Sequence, residues 1–413
     1  MTSLTLTLTD ISHGGEAVGR HDGKVIFVPL AIPGETVRVE LTEQREHYAH
    51  ARLLEVLAPS PGRVTPPCPW YGRCGGCHWQ HIDYPTQLTL KRDIVRTQLE
   101  RLGKQRDPQV QPTLGMDEPW AYRNHAQVVT DAQGRLGYNA PKSHTVVPVE
   151  TCAILHPLLD ELWSALDLEA GAPPRIVLRA GIGTGEQMVI LEGDDNAVPD
   201  LEVDLPVSCL YQAADGTLTL LVGDDHYHER LAGRNYRVSA PSFFQVNTAQ
   251  AERMLEVVRE YASLQPGQAL LDAYCGVGAL GLSLLQPGVR LVGIESSPWA
   301  IDDAAANARE DEDVTLYEGN VEDVLPELGE RYDVVVLDPP RAGCAPQALD
   351  AIVRAQPQHI VYVSCDPATL ARDVARLSAS GYRLVEAQPV DMFPQTYHVE
   401  CVVLMQSVEA QIS

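Results

Sequence analysis

Three groups of residues in this 413-residue chain have side chains and spacing suited to chemistry. The first is Cys365, which ends the apolar, β-branched run HIVYVSC, and α/β proteins bind ligands at such strand ends. The second is the acidic turn DPP (338–340), which also ends an apolar run. The third is the cysteine-rich segment CPWYGRCGGC (68–77). These groups predict a nucleophile, a polar strand end and a metal site.

A glycine-rich turn follows a strand candidate in LLDAYCGVGALG (270–281). Gly276, Gly278 and Gly281 fit the pattern G-x-G-x-x-G, in which glycines let the backbone approach a ligand closely. Glu295 ends the next strand candidate, where a carboxylate can bind two ribose hydroxyls. The turn alone fits either a nicotinamide dinucleotide or S-adenosylmethionine. The DPP turn favours S-adenosylmethionine, because this pattern looks like the one that lines methyltransferase sites.

The cysteine-rich segment holds Cys68, Cys74 and Cys77 in the spacing C-x5-C-x2-C, and Cys152 in VPVETCAILHP is the candidate for a fourth ligand. Sites made only of thiolates hold zinc or an iron–sulfur cluster. One clustered trio with a remote cysteine favours the cluster, since zinc would be favoured by two C-x2-C pairs. The nine cysteines are an odd number, which favours metal or catalytic roles over a disulfide framework.

Cys365 is either a buried small residue or the nucleophile of a covalent reaction at carbon 5 of a pyrimidine. A thiolate that adds to carbon 6 makes carbon 5 enolate-like, so that it can attack the methyl group of a cofactor. A base must then remove the proton on carbon 5 before the thiol can leave. Glu400, at the start of the strand candidate ECVVLM, is a candidate for this base, and so is His398.

The net charge of −25 at first opposes a nucleic-acid partner. Residues 61–106, however, hold eight Lys and Arg against three acidic residues, which fits a polyanion bound at one place or simply a solvated helix face. No apolar run is long enough for a membrane helix, and the N-terminus lacks the features of a signal peptide. We therefore expect a cytoplasmic protein with no membrane partner.

Element patterns divide the chain into three regions. Residues 1–60 alternate apolar and polar positions between turn-forming glycines, which predicts a small closed barrel of the OB type. Residues 61–240 are mixed, with a helix candidate at 87–103 and several short strands. Residues 241–413 alternate continuous apolar strands with helices, which predicts a parallel sheet covered on both faces.

Taken together, these residues resemble the RNA (uracil-5-)-methyltransferase family, and within it the iron–sulfur branch that modifies 23S ribosomal RNA. The resemblance spans essentially the whole chain. It implies an α/β, Rossmann-like, S-adenosylmethionine-dependent methyltransferase domain, an N-terminal TRAM barrel and a small mixed α+β central iron–sulfur domain. The implied division is 1–60 for the barrel, 61–82 and 151–240 for the central domain, and 83–150 and 241–413 for the catalytic domain.

The resemblance also implies roles for individual residues. Cys365 is the nucleophile, Glu400 the base and Phe243, in PSFFQVN, a contact of the target base. Ala279 departs from the pattern, because some members carry a polar residue there. The implied cofactor contacts, which include two glycines of the turn, are Gln245, Tyr274, Gly276, Gly278, Glu295, Asn320 and Asp338. The implied ligands of a [4Fe-4S] cluster are Cys68, Cys74, Cys77 and Cys152.

The expected partner is RNA, with 23S ribosomal RNA preferred, and we expect a monomer without an obligate protein partner. Several other functions remain open at this point. The chain can be a transfer-RNA uracil-5-methyltransferase, a non-catalytic RNA-binding or ribosome-assembly factor, or an amino-group methyltransferase that does not need Cys365. A dehydrogenase is the weakest alternative.

Overall fold

The computed structural model of the chain describes residues 3–196, 198 and 205–408. Within these residues the chain forms a closed barrel, two seven-stranded sheets and a two-stranded hairpin. No helix in these ranges is long and apolar enough to cross a membrane.

The N-terminal barrel closes in the strand order β1-β2-β3-β5-β4, which confirms the expected small barrel. Along β1, Leu6 and Leu8 are buried and alternate with outward-facing threonines, so that one face of the strand fills the barrel. Val37 and Val39 of β4 complete this core from the opposite side. The strands are β1 (Ser3–Ile11), β2 (Ala17–His21), β3 (Lys24–Val28), β4 (Thr36–Gln44) and β5 (Tyr48–Ala58).

The first helix, α1 (Tyr84–Arg101), begins earlier than the expected 87–103. Asp83 caps it by accepting a hydrogen bond from the Thr86 amide at 2.9 Å, and a proline in the first turn suits a helix start. The buried side of α1 carries Leu90, Ile94 and other apolar residues, and it also buries Lys91 completely.

The basic strip at 61–106 is divided evenly between buried and exposed side chains: four of its eight Lys and Arg are at least partly buried, and Arg73 is exposed together with three others. Arg101, Lys104 and Arg106 remain exposed at the end of α1 and just after it. The internal partners are Glu35 for Arg63, buried Asp391 for Lys91, the Val110 carbonyl for Arg92 and the Trp70 ring for Arg73.

The central sheet has the order β12-β11-β10-β9-β6-β7-β8. Its strands β6, β7 and β8 lie in 125–148, a stretch that the expected division assigned to the catalytic domain. They nevertheless pair with each other, and β6 pairs with β9. The reason is their apolar faces: Ala126 pairs with Leu178 and Val128 with Ile176, and all four are buried in one core. The elements are β6 (His125–Thr130), β7 (Leu136–Asn139), β8 (Val146–Pro148), α2 (Pro157–Ala165), β9 (Arg175–Ala180), β10 (Gln187–Glu192), β11 (Ser208–Gln212) and β12 (Leu218–Val222).

A hairpin and a helix lead from the central sheet to the C-terminal sheet. The hairpin is followed at once by the segment PSFFQVN, and Asn247 caps the helix by accepting from the Gln250 amide. Buried Asp303 holds the start of this segment, because it accepts hydrogen bonds from the Ser239 amide and from the Ser242 hydroxyl. The elements are β13 (His226–Leu231), β14 (Arg234–Ser239) and α3 (Thr248–Ala262).

The C-terminal sheet has the order β17-β16-β15-β18-β19-β21-β20, which confirms the expected alternation of strands and helices. All its strand pairs are parallel except those of β21, which runs antiparallel to β19 and to β20. The elements are β15 (Ala269–Ala273), α4 (Ala279–Leu284), β16 (Arg290–Glu295), α5 (Pro298–Asn307), β17 (Val314–Glu318), α6 (Val321–Leu328), β18 (Val334–Leu337), α7 (Pro346–Arg354), β19 (His359–Ser364), α8 (Pro367–Ala379), β20 (Tyr382–Val390) and β21 (Glu400–Ser407).

The reversed direction of β21 brings its first residue to the sheet edge at which the neighbouring strands end. Asp338 follows β18, Cys365 follows β19 and Glu400 begins β21. The strand before Cys365 stops because Asp366 caps α8, accepting hydrogen bonds from the amides of Ala368 and Thr369. Three polar side chains from distant parts of the sequence therefore share one edge.

Candidate active site

A cavity of about 740 Å³ opens at this edge of the C-terminal sheet. It brings together nearly all of the residues expected at the cofactor and the target base. Those on its wall are Phe243, Gln245, Tyr274, Gly276, Glu295, Asn320, Asp338, Cys365 and Glu400. Ala279 also lines the cavity and adds no polar side chain to it.

Gly278 is the one expected cofactor residue of this group that does not line the cavity. Its φ of +82° lies in the left-handed region, and a Cβ atom there would come within 2.6 Å of the Leu282 side chain. Its part in the structure is to turn the chain into α4, whereas Gly276 beside it faces the cavity.

Glu295 is held in place by the glycine-rich turn and by the start of the next helix. One carboxylate oxygen accepts a hydrogen bond from the Gly276 amide at 3.0 Å, and the other accepts from the Ser297 amide at 2.8 Å. The side chain therefore reaches the cavity from a fixed position at the end of β16. This is the geometry expected of a carboxylate that binds ribose hydroxyls.

Asp272 is a cavity residue that the sequence reasoning missed. It is 1% exposed, and its Oδ2 atom accepts from the Gly281 amide at 2.7 Å. Its Oδ1 atom is buried with no hydrogen-bond partner among the described residues. Burial raises the pKa of this carboxyl to about 7, and the charges of Asp338 and Glu295 add to the rise. The sequence feature that could have indicated this residue is an acidic side chain shortly before Gly276 in LLDAYCG.

Asp338 lies between the cofactor end of the cavity and the proposed nucleophile. Burial raises its pKa to about 7. The Gln245 side-chain amide points toward it, at 3.5 Å, which is long for a hydrogen bond. The backbone carbonyl of Gln245 is held by the Asn124 side chain at 3.0 Å.

Phe243 is 63% exposed even though it lines the same cavity. A large apolar ring left open to solvent at a cavity mouth contrasts with its buried neighbour Phe244. An exposed ring of this kind offers a face on which a base taken out of its stack can pack.

Cys365 and Glu400 both line the cavity, and the surroundings of each side chain raise its pKa. Burial raises the pKa of the Cys365 thiol to about 12, and the charges of Glu400 and Asp338 add to the rise while Arg341 opposes it. Glu400 is 3% exposed, and burial together with Asp338 raises its pKa well above the ordinary value. Both groups therefore favour their neutral forms at neutral pH.

His398, the other candidate base, does not line this cavity within the described part of the chain. It faces a smaller cavity that Cys365 also lines, together with Tyr397 and Arg341. Burial and nearby cations lower the pKa of His398 to about 4, so its ring is neutral at neutral pH. The geometry therefore favours Glu400 over His398 as the group that reaches a base held beside the cofactor.

The segment before Glu400 is fixed by contacts from α1 and from the two residues that follow the cysteine-rich segment. The amides of His78 and Trp79 donate to the Gln395 carbonyl at 3.0 and 2.9 Å. Gln87 of α1 donates to the Gln395 side chain at 3.0 Å. The position of Glu400 thus depends on residues far from it in sequence.

The four expected cluster cysteines line a separate cavity, together with Trp70, Tyr71 and Tyr138. Burial raises the pKa values of Cys74 and Cys77, and repulsion from the charged forms of the other cluster cysteines adds to the rise. Within residues 3–196, 198 and 205–408, however, no group of three or more His, Cys, Asp or Glu side chains is arranged to hold a metal ion. The expected iron–sulfur centre is therefore not supported as a metal site.

Family comparisons agree with this arrangement of barrel and catalytic sheet. The TRAM domain profile matches residues 2–54, the tRNA (Uracil-5-)-methyltransferase profile matches residues 328–408 and a general methyltransferase domain profile matches residues 270–358. An uncharacterized RNA methyltransferase of Gloeobacter violaceus is 38% identical over 442 residues, covering 98% of this chain and 96% of that protein. The chain belongs to the RNA (uracil-5-)-methyltransferase family.

Two further relatives extend this assignment. An uncharacterized RNA methyltransferase of Halalkalibacterium halodurans is 36% identical and covers 97% of this chain and 96% of that protein. A crystal structure of the Pyrococcus abyssi tRNA (uracil-54, C5)-methyltransferase with S-adenosyl-L-homocysteine matches with a TM-score of 0.78 and 26% identity, over 97% of this chain and 100% of that one. The protein is thus an RNA methyltransferase with the fold of an S-adenosylmethionine-dependent enzyme.

Proposed function

We propose that this enzyme methylates carbon 5 of a uridine in RNA, with Cys365 as the nucleophile and Glu400 as the base. The observation that carries the proposal is that both side chains line one cavity, beside the carboxylates expected at the cofactor. Carbon 5 chemistry needs a thiol and a base in one pocket, and an amino-group methyltransferase would not need the thiol.

S-adenosylmethionine supplies the methyl group and carries a positive charge on its sulfur. The residues that we assign to its binding form a largely acidic surface, which suits a cation. Glu295 is placed for the ribose, and the unpaired Oδ1 atom of Asp272 can accept from the amino group of the cofactor. The full set is Gln245, Asp272, Tyr274, Gly276, Glu295, Asn320 and Asp338, with Gly278 kept as the residue that shapes the turn.

The protein groups act in the following order. The Cys365 thiol gives its proton to solvent water, and it does so more readily when a positive charge lies beside it, because burial and the negative charges of Glu400 and Asp338 otherwise raise its pKa. The thiolate forms a bond to carbon 6, and the electron pair reaches carbon 5, which takes the methyl group. Glu400, as a carboxylate, then accepts the proton of carbon 5. The bond between Sγ and carbon 6 breaks, and the thiolate is released.

The target base must leave its stack to reach Cys365, because the sulfur lies on a cavity wall. Phe243, 63% exposed at the same cavity, is the side chain that we assign to packing against this base. We keep 23S ribosomal RNA as the preferred substrate, with the TRAM barrel and the cysteine cavity as support. Transfer RNA is the second candidate, favoured by the family profile and by the activity named for the Pyrococcus abyssi enzyme.

We also keep a [4Fe-4S] cluster on Cys68, Cys74, Cys77 and Cys152 as a proposal. Its support is that the four thiols line one cavity, with three of them close together in the sequence and the fourth remote. A zinc ion would need four ligands at about 2.3 Å from one centre, whereas a cluster spreads its four cysteines over several irons. Iron and sulfide analysis of anaerobically purified protein tests this, with Cys152→Ala as the variant that should lose both.

Other expectations also stay proposals. These are a cytoplasmic, monomeric enzyme without an obligate protein partner, and a central domain that is separate from the catalytic domain. Gel filtration with light scattering tests the monomer.

The test of the reaction uses RNA made with 5-fluorouridine, split into ribosomal and transfer fractions. Fluorine at carbon 5 cannot leave as a proton, so the enzyme should stay bonded to its substrate. With S-adenosylmethionine present, we expect an RNA adduct on the wild-type protein that maps to Cys365 and is absent in Cys365→Ala. Sequencing the trapped RNA identifies the substrate.

Cofactor binding without an adduct in either fraction would contradict the proposal. Tight RNA binding alone would then favour a non-catalytic RNA-binding or ribosome-assembly factor. Methylated adenine or guanine in the treated RNA would favour an amino-group methyltransferase.

A further inference from the structure

The loop between β1 and β2 of the barrel reaches the residue next to the proposed nucleophile. His13, on this loop, lines a small cavity together with Cys365, Arg341 and His398. Its Nε2 atom lies 3.6 Å from Oδ1 of Asp366, the residue that follows Cys365. The barrel thus contributes a side chain to the immediate surroundings of Cys365.

Several contacts fix this loop against the catalytic part of the protein. The Trp79 indole donates to the Gly15 carbonyl at 3.0 Å. Gly15 lies directly against the Tyr397 ring, where a Cβ atom would overlap the ring atoms. Within the loop, the Gly15 amide donates to the Ser12 carbonyl at 2.9 Å. These contacts therefore fix the loop that carries His13 against the rest of the protein.

His13 and Arg341 are both held only weakly by Asp366. The distance from the Arg341 Nε atom to Oδ2 of Asp366 is 3.6 Å, as long as that from His13 to Oδ1, and both exceed a hydrogen bond. Asp366 already caps α8 by accepting two backbone hydrogen bonds. The Arg341 side chain is 61% exposed and that of His13 is 32% exposed, so both can turn toward a ligand.

Nucleotide geometry indicates which ligand would lie there. Carbon 6 of a pyrimidine is on the side of the base that faces the 5′-phosphate of its own nucleotide. A sulfur that adds to carbon 6 therefore brings this phosphate close to Cys365. The carboxylates of Asp338, Glu400 and Asp366 would repel it, and the nearby donors that can attract it are Arg341 and His13.

We propose that His13 binds the 5′-phosphate of the target nucleotide and thereby positions carbon 6 over the Cys365 sulfur. This proposal rests on the function proposed above. It gives the barrel a direct contact with the reacting nucleotide, in addition to any contact with more distant RNA.

The test uses a short RNA with one target uridine, its sequence taken from the trapped substrate, made with either a normal phosphate or an uncharged methylphosphonate 5′ to that uridine. With the normal RNA, we expect His13→Ala to raise KM about tenfold and to leave kcat within about twofold. With the methylphosphonate RNA, wild type and His13→Ala should have the same KM. His13→Lys should restore much of the affinity for the normal RNA.

His21→Ala is the matched control, because His21 lies on the same barrel, pairs with exposed Asp22 and is not among the residues that line the small cavity. Its KM should equal that of the wild type with both RNAs. If His13→Ala does not fold, His13→Gln takes its place in the comparison. A KM that rises equally with both RNAs, or does not rise at all, would overturn the proposal. Failure of the wild type to methylate the normal RNA would instead overturn the proposed function.

Discussion

Cys365 and Glu400 lie next to each other because their chain neighbours, Ser364 and Cys401, are register partners in β19 and β21. The two strands run antiparallel, so the end of one meets the start of the other. The proposed nucleophile and the proposed base, separated in sequence, therefore share one wall of the cavity. Asp338, at the end of the adjacent β18, adds a second carboxyl that raises the pKa of both.

Replacing Glu400 with Gln should stop the reaction after the methyl transfer. Thiol addition needs only Cys365, whereas release needs a group that accepts the proton of carbon 5. We expect kcat to fall about 100-fold or more and a covalent protein–RNA adduct to accumulate with ordinary, unfluorinated RNA. Intact mass under denaturing conditions measures the adduct.

The control for this experiment is Cys365→Ala in the Glu400→Gln background, which should form no adduct. His398→Gln tests the other candidate base and should turn over without accumulating adduct. Adduct accumulation in His398→Gln, with normal release in Glu400→Gln, would reverse the assignment.

The reactivity of the Cys365 thiol should rise with pH and with the charge of the bound ligand. Because burial and the neighbouring carboxylates raise its pKa to about 12, the alkylation rate should rise about tenfold per pH unit between about pH 7 and pH 9. Sinefungin, which carries a positive charge, should speed alkylation relative to S-adenosylhomocysteine, which lacks the sulfonium charge. Peptide mass spectrometry after iodoacetamide treatment separates Cys365 from the other cysteines. A rate that levels off near pH 8 would contradict the raised pKa.

Cofactor binding should release protons and should stabilise the protein more at high pH. Burial raises the pKa values of Asp272 and Asp338 to about 7, far above their ordinary value of 3.8. A raised folded-state pKa contributes stability below the unfolded value, and this contribution is lost as pH rises through about 7. The unliganded enzyme should therefore lose stability as the pH rises from about 4 to about 7, and a bound cation should restore it.

Calorimetry in buffers of different ionisation enthalpy measures the protons released on binding of S-adenosylmethionine near pH 7. Asp272→Asn should release fewer protons than the wild type, and S-adenosylhomocysteine should release fewer than S-adenosylmethionine. Equal release for both ligands would show that the carboxyls do not respond to the sulfonium charge.

Lys91→Met should destabilise the protein far more than loss of a surface charge. Lys91 and Asp391 are both fully buried, the Lys91 ammonium pairs with Oδ1 of Asp391, and Oδ2 of Asp391 has no hydrogen-bond partner in the described residues. Removing one partner leaves an uncompensated buried charge, so we expect a loss of about 3–5 kcal/mol in urea unfolding. Arg101→Gln, at the exposed end of α1, is the control and should change stability by less than about 0.5 kcal/mol. Adding Asp391→Leu to Lys91→Met should recover part of the loss, and an additive double variant would contradict the pairing.

Features that depend on nearby residues were readable from the sequence. The β-branched run before Cys365 and the glycines around Gly276 are local patterns, and local backbone preferences decide them. The barrel at 1–60 and the alternating strands and helices of the C-terminal region followed in the same way from apolar periodicity. These patterns also led to the family and to the proposal that Cys365 and the carboxylates at the strand ends form the site.

Features that depend on distant pairing were decided only by the tertiary structure. Apolar periodicity does not specify a partner strand, so β6 to β8 were expected with the catalytic domain although they complete the central sheet. Charge counts do not show burial, so Lys91 was expected on a basic surface although it is buried against Asp391. The unpaired oxygen of Asp272 and the approach of His13 to Cys365 likewise exist only once sheet register and barrel docking bring remote residues together.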